Sequence, residues 1–297
     1  MAIRIITDST ADYSQAEIER RKITCIPMSI TFGMESFLDG KELSKEAFYE
    51  KLMEGEYFPQ TAQPSPAAFL EVFEEAKKAG DSVIVILIAS VLSGTYQTAH
   101  LAKNMAEYDD IYIIDSKTAT LGMRILIDKA VQLCERGKDV KEVVAEIEAL
   151  VPRITLFAGL DTLEYLYKGG RISKTAASVG KIANLKPLIR LDAQGRVSVC
   201  GKQIGNRHAC KAIAKLVEEN EIDYDYPVYF LYSYEKKNVA LLAHSLEKIG
   251  IIFEEPKFRE IGPTIGTHIG PEAYGIVYVG TKAVDSEPDK AQQETEE

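Results

Sequence analysis

Val83-Ile84-Val85-Ile86-Leu87-Ile88 sets six apolar residues in a row with no polar alternation. A strand with one wet face alternates and a strand covered on both faces does not, so this run predicts the centre of a parallel sheet sandwiched between helices. It leads directly into Ser90-Val91-Leu92-Ser93-Gly94-Thr95 and a helical pattern reaching about residue 107. Ile111-Tyr112-Ile113-Ile114-Asp115-Ser116 repeats the unit, with helices expected over 118–136 and 140–150. Upstream, Ile3-Arg4-Ile5-Ile6 reads as another strand, followed by a helix over 14–22. Pro27 interrupts the apolar run 23–32, which predicts an edge or bulged strand there. Ser65-Pro66 supplies a cap and a first-turn proline for a helix whose Phe69, Val72, Phe73 and Ala76 form a buried stripe.

Beyond Pro152 the pattern changes. Residues 188–191 and 196–200 flank Asp192-Ala193-Gln194-Gly195, a four-residue hairpin signal that implies antiparallel pairing. Helices over 206–220 and 237–249 and strands over 228–232, 253–258 and 275–279 complete the half. The expected architecture is therefore α/β: a parallel-sheet domain at 1–152 with helices on both faces, and a smaller α+β domain with an antiparallel sheet at 153–281. Residues 282–297 read as a frayed acidic tail.

The 297 residues carry a formal net charge of −10, which excludes a general nucleic-acid or anionic-membrane surface. Cys25, Cys134, Cys200 and Cys210 are widely spaced with no Cys-x-x-Cys, and read as reduced core thiols of a cytosolic protein. No apolar run reaches membrane-spanning length, so a soluble, cytoplasmic protein is expected.

Ligands of open parallel sheets sit beyond the carboxyl ends of the strands, and the hydroxyls gather at those ends. Thr7, Asp8, Ser9 and Thr10 follow the first strand; Ser90, Ser93 and Thr95 follow the central run; Thr61 and Gln63 precede the Ser65 helix. Helix capping demands the same residue types, and explains Ser65 better than Ser93, where Gly94 would let something approach closely. Lys168-Gly169-Gly170-Arg171-Ile172-Ser173-Lys174 is either an anion-holding turn or a helix end whose cations complement the dipole. Gly262-Pro263-Thr264-Ile265-Gly266-Thr267-His268-Ile269-Gly270-Pro271 is so rich in Gly and Pro that it predicts an irregular loop, either one that places His268 or an ordinary turn-rich connection before the strand at 275–279. No phosphate-binding loop, kinase motif or dinucleotide fingerprint occurs, and no pair of histidines has metal-ligand spacing.

Thr7-Asp8-Ser9-Thr10-Ala11-Asp12, Asp39-Gly40, Thr61-Ala62-Gln63-Pro64-Ser65, Leu92-Ser93-Gly94-Thr95-Tyr96, Asp115-Ser116, Lys168 to Ser173 and Gly262 to Pro271 occur in the order seen in DegV-like proteins. The chain resembles that family over roughly residues 1–281. The resemblance implies a non-catalytic bacterial lipid-binding protein without a cofactor, holding a long-chain fatty acid in an apolar tunnel between the two domains. It further implies a separate ATP-binding kinase subunit that phosphorylates the carboxylate, and leaves room for transient membrane contact. Carried over by motif, Thr61 and Ser93 would bond the carboxylate, His268 would complete the cluster, and Arg171 would hold the network against Asp39 and face the incoming phosphoryl group. Gly94, Thr95 and Thr267 come with the same motifs. Many members have Thr-Ser-Gln-Pro-Ser where this chain has Ala62, so one hydroxyl near the headgroup is missing.

Two other readings compete. Ser93 as nucleophile and His268 as base would make a lipid esterase or acyl-phosphate hydrolase, although no Gly-x-Ser-x-Gly elbow surrounds Ser93. A purely sensory lipid-binding module would need no kinase.

Overall fold

The computed structural model describes residues 2–173 and 184–284. Strands β1 (Ile3–Asp8) and β2 (Thr24–Ile26) open a parallel sheet. The chain then leaves it: β3 (Ser29–Phe32), β4 (Glu35–Leu38) and β5 (Gln60–Ala62) build a separate antiparallel sheet in the order β4-β3-β5. The run 23–32 is thus two strands in two sheets, not a single edge or bulged strand, although its first part, β2, does stand at the edge of the parallel sheet. Pro27, with no N–H to donate to a ladder, stands where the chain crosses between them.

Strands β6 (Ser82–Leu87) and β7 (Ile111–Asp115) return to the first sheet and give the order β2-β1-β6-β7, every pair parallel. All six residues of β6 are buried, as its unbroken apolar run requires. Successive connections leave to opposite sides of the β1–β6 pair, so the carboxyl ends of β1 and β6 flank a switch point. Asp8 ties that point together by accepting the Ile88 N–H at 3.0 Å.

Strands β8 (Ile154–Gly159), β9 (Leu185–Leu191), β10 (Val197–Ile204), β11 (Tyr229–Tyr232), β12 (Lys257–Glu260) and β13 (Tyr274–Val279) form a six-stranded sheet, ordered β10-β9-β8-β13-β11-β12. Its pairs are antiparallel except β11–β12. The hairpin stands where 192–195 predicted it, with the Asp192 carboxylate accepting the N–H groups of Gln194 and Arg196 at 2.9 Å each. The strand expected over 253–258 begins later, at Lys257, immediately after Pro256. Phe253 serves instead as a ring packed edge-on against Phe230 at 5.3 Å.

One core joins the halves. The helix Leu121–Glu135 buries residues around its whole first two turns and packs on both β1 and β6 of the parallel sheet and β8 and β13 of the other. Arg124 on this helix is only 2% exposed, pairs with Glu17, and lies under the Tyr13 ring at 4.3 Å and by the Tyr229 ring at 5.8 Å. None of the four cysteines forms a disulfide. Among the described residues no helix is long and apolar enough to cross a membrane. The tail beyond residue 284 lies outside the described residues.

Candidate functional site

Between the two large sheets lies a cavity of about 330 Å³. Its deep wall is apolar and buried, made by Leu156, Ala158, Ile189, Leu191 and Leu231 of the six-stranded sheet. At its other end stand Thr61, Ser93, Arg171 and His268, all half-buried, beside exposed Ala62 and Gln63. One end is therefore greasy and closed, the other polar and near solvent.

The polar end is a chain of contacts drawn from four distant segments. Thr61, on β5, meets His268 Nε2 through its Oγ1 at 2.9 Å. The imidazole lies against Gly169, whose carbonyl accepts from Arg171 Nη1 at 2.5 Å. Arg171 Nε donates to the Leu92 carbonyl at 3.0 Å, which places the guanidinium beside Ser93. Ser93 and Thr95 share a hydroxyl–hydroxyl bond of 2.8 Å. Gly94, not Ser93, is the N-cap of Thr95–Ala106, although Ser93 Oγ accepts the Thr95 N–H at 3.4 Å; Ser65 caps its own helix by accepting the Ala68 N–H.

His268 does not sit on a loop. Residues Pro263–Ile269 form a helix, which corrects the expectation of irregular chain. Proline is tolerated at the first helical position because its missing N–H would be unpaired there anyway. Ile265, His268 and Ile269, spaced i, i+3 and i+4, all face the cavity. Burial and the neighbouring Arg171 push the His268 pKa down to about 4, so the imidazole is neutral at pH 7. Burial also lowers the pKa of Arg171.

Four of the expected site residues stand apart from the cavity lining. Asp39 does not hold Arg171; it accepts from Ser9 Oγ at 2.9 Å and Thr264 Oγ1 at 2.6 Å, because β4 delivers it to the foot of the His268 helix. Burial raises its pKa to about 6, with Asp12 adding to the rise and the Thr264 and Ser9 hydroxyls opposing it. Thr267 is fully buried and returns its hydroxyl to the Pro263 carbonyl at 3.0 Å. Thr95 is likewise fully buried, behind Ser93. Gly94 makes room for Gln63: a methyl there would overlap Oε1. Gln63 in turn donates to Thr98 at 2.7 Å, and it and Thr264 line the cavity although neither was singled out as a ligand from sequence. Thr264 was one of two hydroxyls beside His268, and helical spacing would have marked it.

The Lys168 segment resolves into a helix end. Gly169 caps Glu164–Lys168 by donating to the Tyr165 carbonyl at 2.9 Å, and Lys168 pairs with Glu164 at 2.6 Å. Of its described cations Arg171 lines the cavity and Lys168 does not; Lys174 lies outside the described residues. Ser93 and His268 hydrogen-bond to other partners, and His268 Nδ1 has none among the described residues. The nucleophile–base–acid relay of an esterase is not assembled by these bonds.

A family model described as "Uncharacterised protein, DegV family" matches residues 2–281. The chain belongs to the DegV family. It is similar to a DegV domain-containing protein of Caldanaerobacter subterraneus subsp. tengcongensis, at 35% identity over 93% of this chain and 98% of the relative. Among solved structures it resembles a fatty-acid-binding DegV family protein from Thermus thermophilus, at 33% identity and TM-score 0.84 over 94% of this chain and all of that one. It also resembles a stearic-acid-binding protein from Eubacterium ventriosum, at 25% identity and TM-score 0.79 over 94% of this chain and 98% of that one.

Proposed function

We propose that this protein binds a long-chain fatty acid, tail inward, and presents its carboxylate to a separate ATP-binding kinase subunit for acyl-phosphate formation. The observation that carries the reading is the polarity of the cavity, whose buried apolar wall ends in Thr61, Ser93, Arg171 and His268 near the surface. An acyl chain requires the first and a carboxylate the second: ionised oxygens leaving water need charge-assisted donors. Fatty-acid-binding relatives with the same fold support it. Each buried CH₂ contributes about 0.8 kcal/mol, offset by the ordering of the chain and the loss of its free motion. The ligand would lie between a parallel domain over 1–152 and an α+β domain over 153–281. The missing nucleotide-binding motifs agree with a phosphoryl donor supplied by another subunit.

Delipidated protein incubated with a fatty-acid mixture should retain one or more long-chain species, identified by mass spectrometry after gel filtration. Retention of none would sink the lipid-binding reading. With a bacterial fatty acid kinase and labelled ATP, acyl phosphate should form only when the loaded protein is present. Lipid retention without transfer would leave a sensory module in place of a kinase subunit.

A further inference from the structure

Gly169 and Gly170 are adjacent glycines with different reasons to be glycine. Gly170 has φ +72°, the left-handed region that side chains avoid. Gly169 has φ −75° and ψ −7°, which alanine adopts without strain. What excludes a side chain at Gly169 is His268: a methyl there would overlap Nδ1 and come 2.8 Å from Cε1. One edge of the imidazole rests on bare backbone.

That seating bears on where the ring keeps its proton. A neutral imidazole has one N–H and one lone pair. Among the described residues Nδ1 is buried with no hydrogen-bond partner, while Nε2 is 2.9 Å from Thr61 Oγ1. A proton on Nδ1 would be a buried donor aimed at a methylene, and orphaned buried donors are rarer than under-used acceptors. A proton on Nε2 leaves at Nδ1 only a lone pair facing Gly169 Cα–H, a weakly favourable contact. Nε2–H then donates to Thr61 Oγ1, and the Thr61 proton must turn elsewhere.

We propose that Gly169 is a positioning residue: by seating His268 with Nδ1 unpartnered it fixes the Nε2–H tautomer, which commits the Thr61 hydroxyl to donate its proton into the cavity. The acceptor, a carboxylate oxygen, rests on the fatty-acid reading above; the tautomer and the role of Gly169 do not. The site is thereby set for a headgroup that accepts hydrogen bonds.

The tautomer is read from two-bond ¹H–¹⁵N correlations of the delipidated full chain with ¹⁵N-labelled histidine at pH 7. Wild type should show His268 protonated on Nε2, and Gly169→Ala should shift that population. Fluorescence titration with cis-parinaric acid should show Gly169→Ala binding about tenfold more weakly, the scale of one hydrogen bond to a charged group. In a His268→Ala background the same change should cost less than about twofold, because Gly169 acts through the ring. A proton on Nδ1 in wild type overturns the proposal. So does an equal Gly169→Ala loss with and without His268, or no change in tautomer and affinity. Should Gly169→Ala fail to fold, the wild-type tautomer decides alone. If wild type does not bind parinaric acid, the fatty-acid reading falls, and the two tautomer measurements still decide this one.

Discussion

Ser93 holds a hydroxyl at the cavity mouth that, besides its bonds to Thr95, has a proton or lone pair left for a ligand. Ser93→Ala should therefore lower fatty-acid affinity about tenfold or more, through loss of one bond to a charged oxygen, while leaving the melting temperature nearly unchanged. A titration with an unaltered Kd would remove Ser93 from the headgroup site. His268 and Asp39 titrate abnormally in opposite senses. The His268 pKa falls on folding, so its stabilising share is present above pH 6.5 and is lost as pH drops through about 4. The Asp39 pKa rises from 3.8 to about 6, so its share is present below pH 3.8 and is lost as pH climbs through about 6. Comparing urea unfolding of wild type and Asp39→Asn isolates the second group. The wild type should lose on the order of 3 kcal/mol more than the variant between pH 4 and pH 7. Parallel pH profiles would show that Asp39 is not shifted.

At the scale of the element, the Pro263–Ile269 helix is fastened at its start from several sides. Asp12 accepts the Gly262 N–H at 2.8 Å, Asp39 accepts from Thr264, and Tyr49 donates to the Ile261 carbonyl at 3.1 Å. Thr264→Val removes one of these ties and should cost about 1–3 kcal/mol in chemical denaturation, with a matching drop in lipid affinity as His268 loosens. The sequence reading failed at this helix for a physical reason. Gly and Pro disfavour helix on average, but proline at the first position and glycine past the last are what a short helix uses as its ends. The β6 run, the Ser65-Pro66 start and the 192–195 hairpin were legible because burial or turn geometry leaves one local solution. The β3-β4-β5 sheet was not, since its three- and four-residue strands are held by partners as far away in sequence as Ser29 and Ala62. Motif order brought Thr61, Ser93, Arg171 and His268 into view together, yet misplaced Asp39, whose partner depends on where β4 delivers it.

For the whole molecule, the cavity is the space two sheets leave between them. Ala158 is buried on its wall, so Ala158→Phe should fill it and abolish parinaric acid uptake while the protein stays folded by circular dichroism. Undiminished uptake would place the acyl chain elsewhere. Arg124 links the layers through Glu17, Tyr13 and Tyr229. Arg124→Ala strands the Glu17 carboxylate, which its guanidinium holds down to a pKa of about 2, and should cost roughly 3–5 kcal/mol in thermal or urea unfolding. A loss below 1 kcal/mol would mean the pair is not structural.

The order of the six-stranded sheet also bears on how the protein is made. β13 is inserted between β8 and β11, pairing Ile154 with Val279 and Tyr229 with Val277. On a ribosome, β8 through β12 emerge with the central seat of their sheet vacant, before the strand that joins β8 to β11 exists. The parallel layer can fold first, as early segments do during synthesis, but His268 and β13 arrive among the last residues. If the cavity holds a fatty acid as proposed, its wall and polar end would be complete only once the His268 helix and β13 have been made.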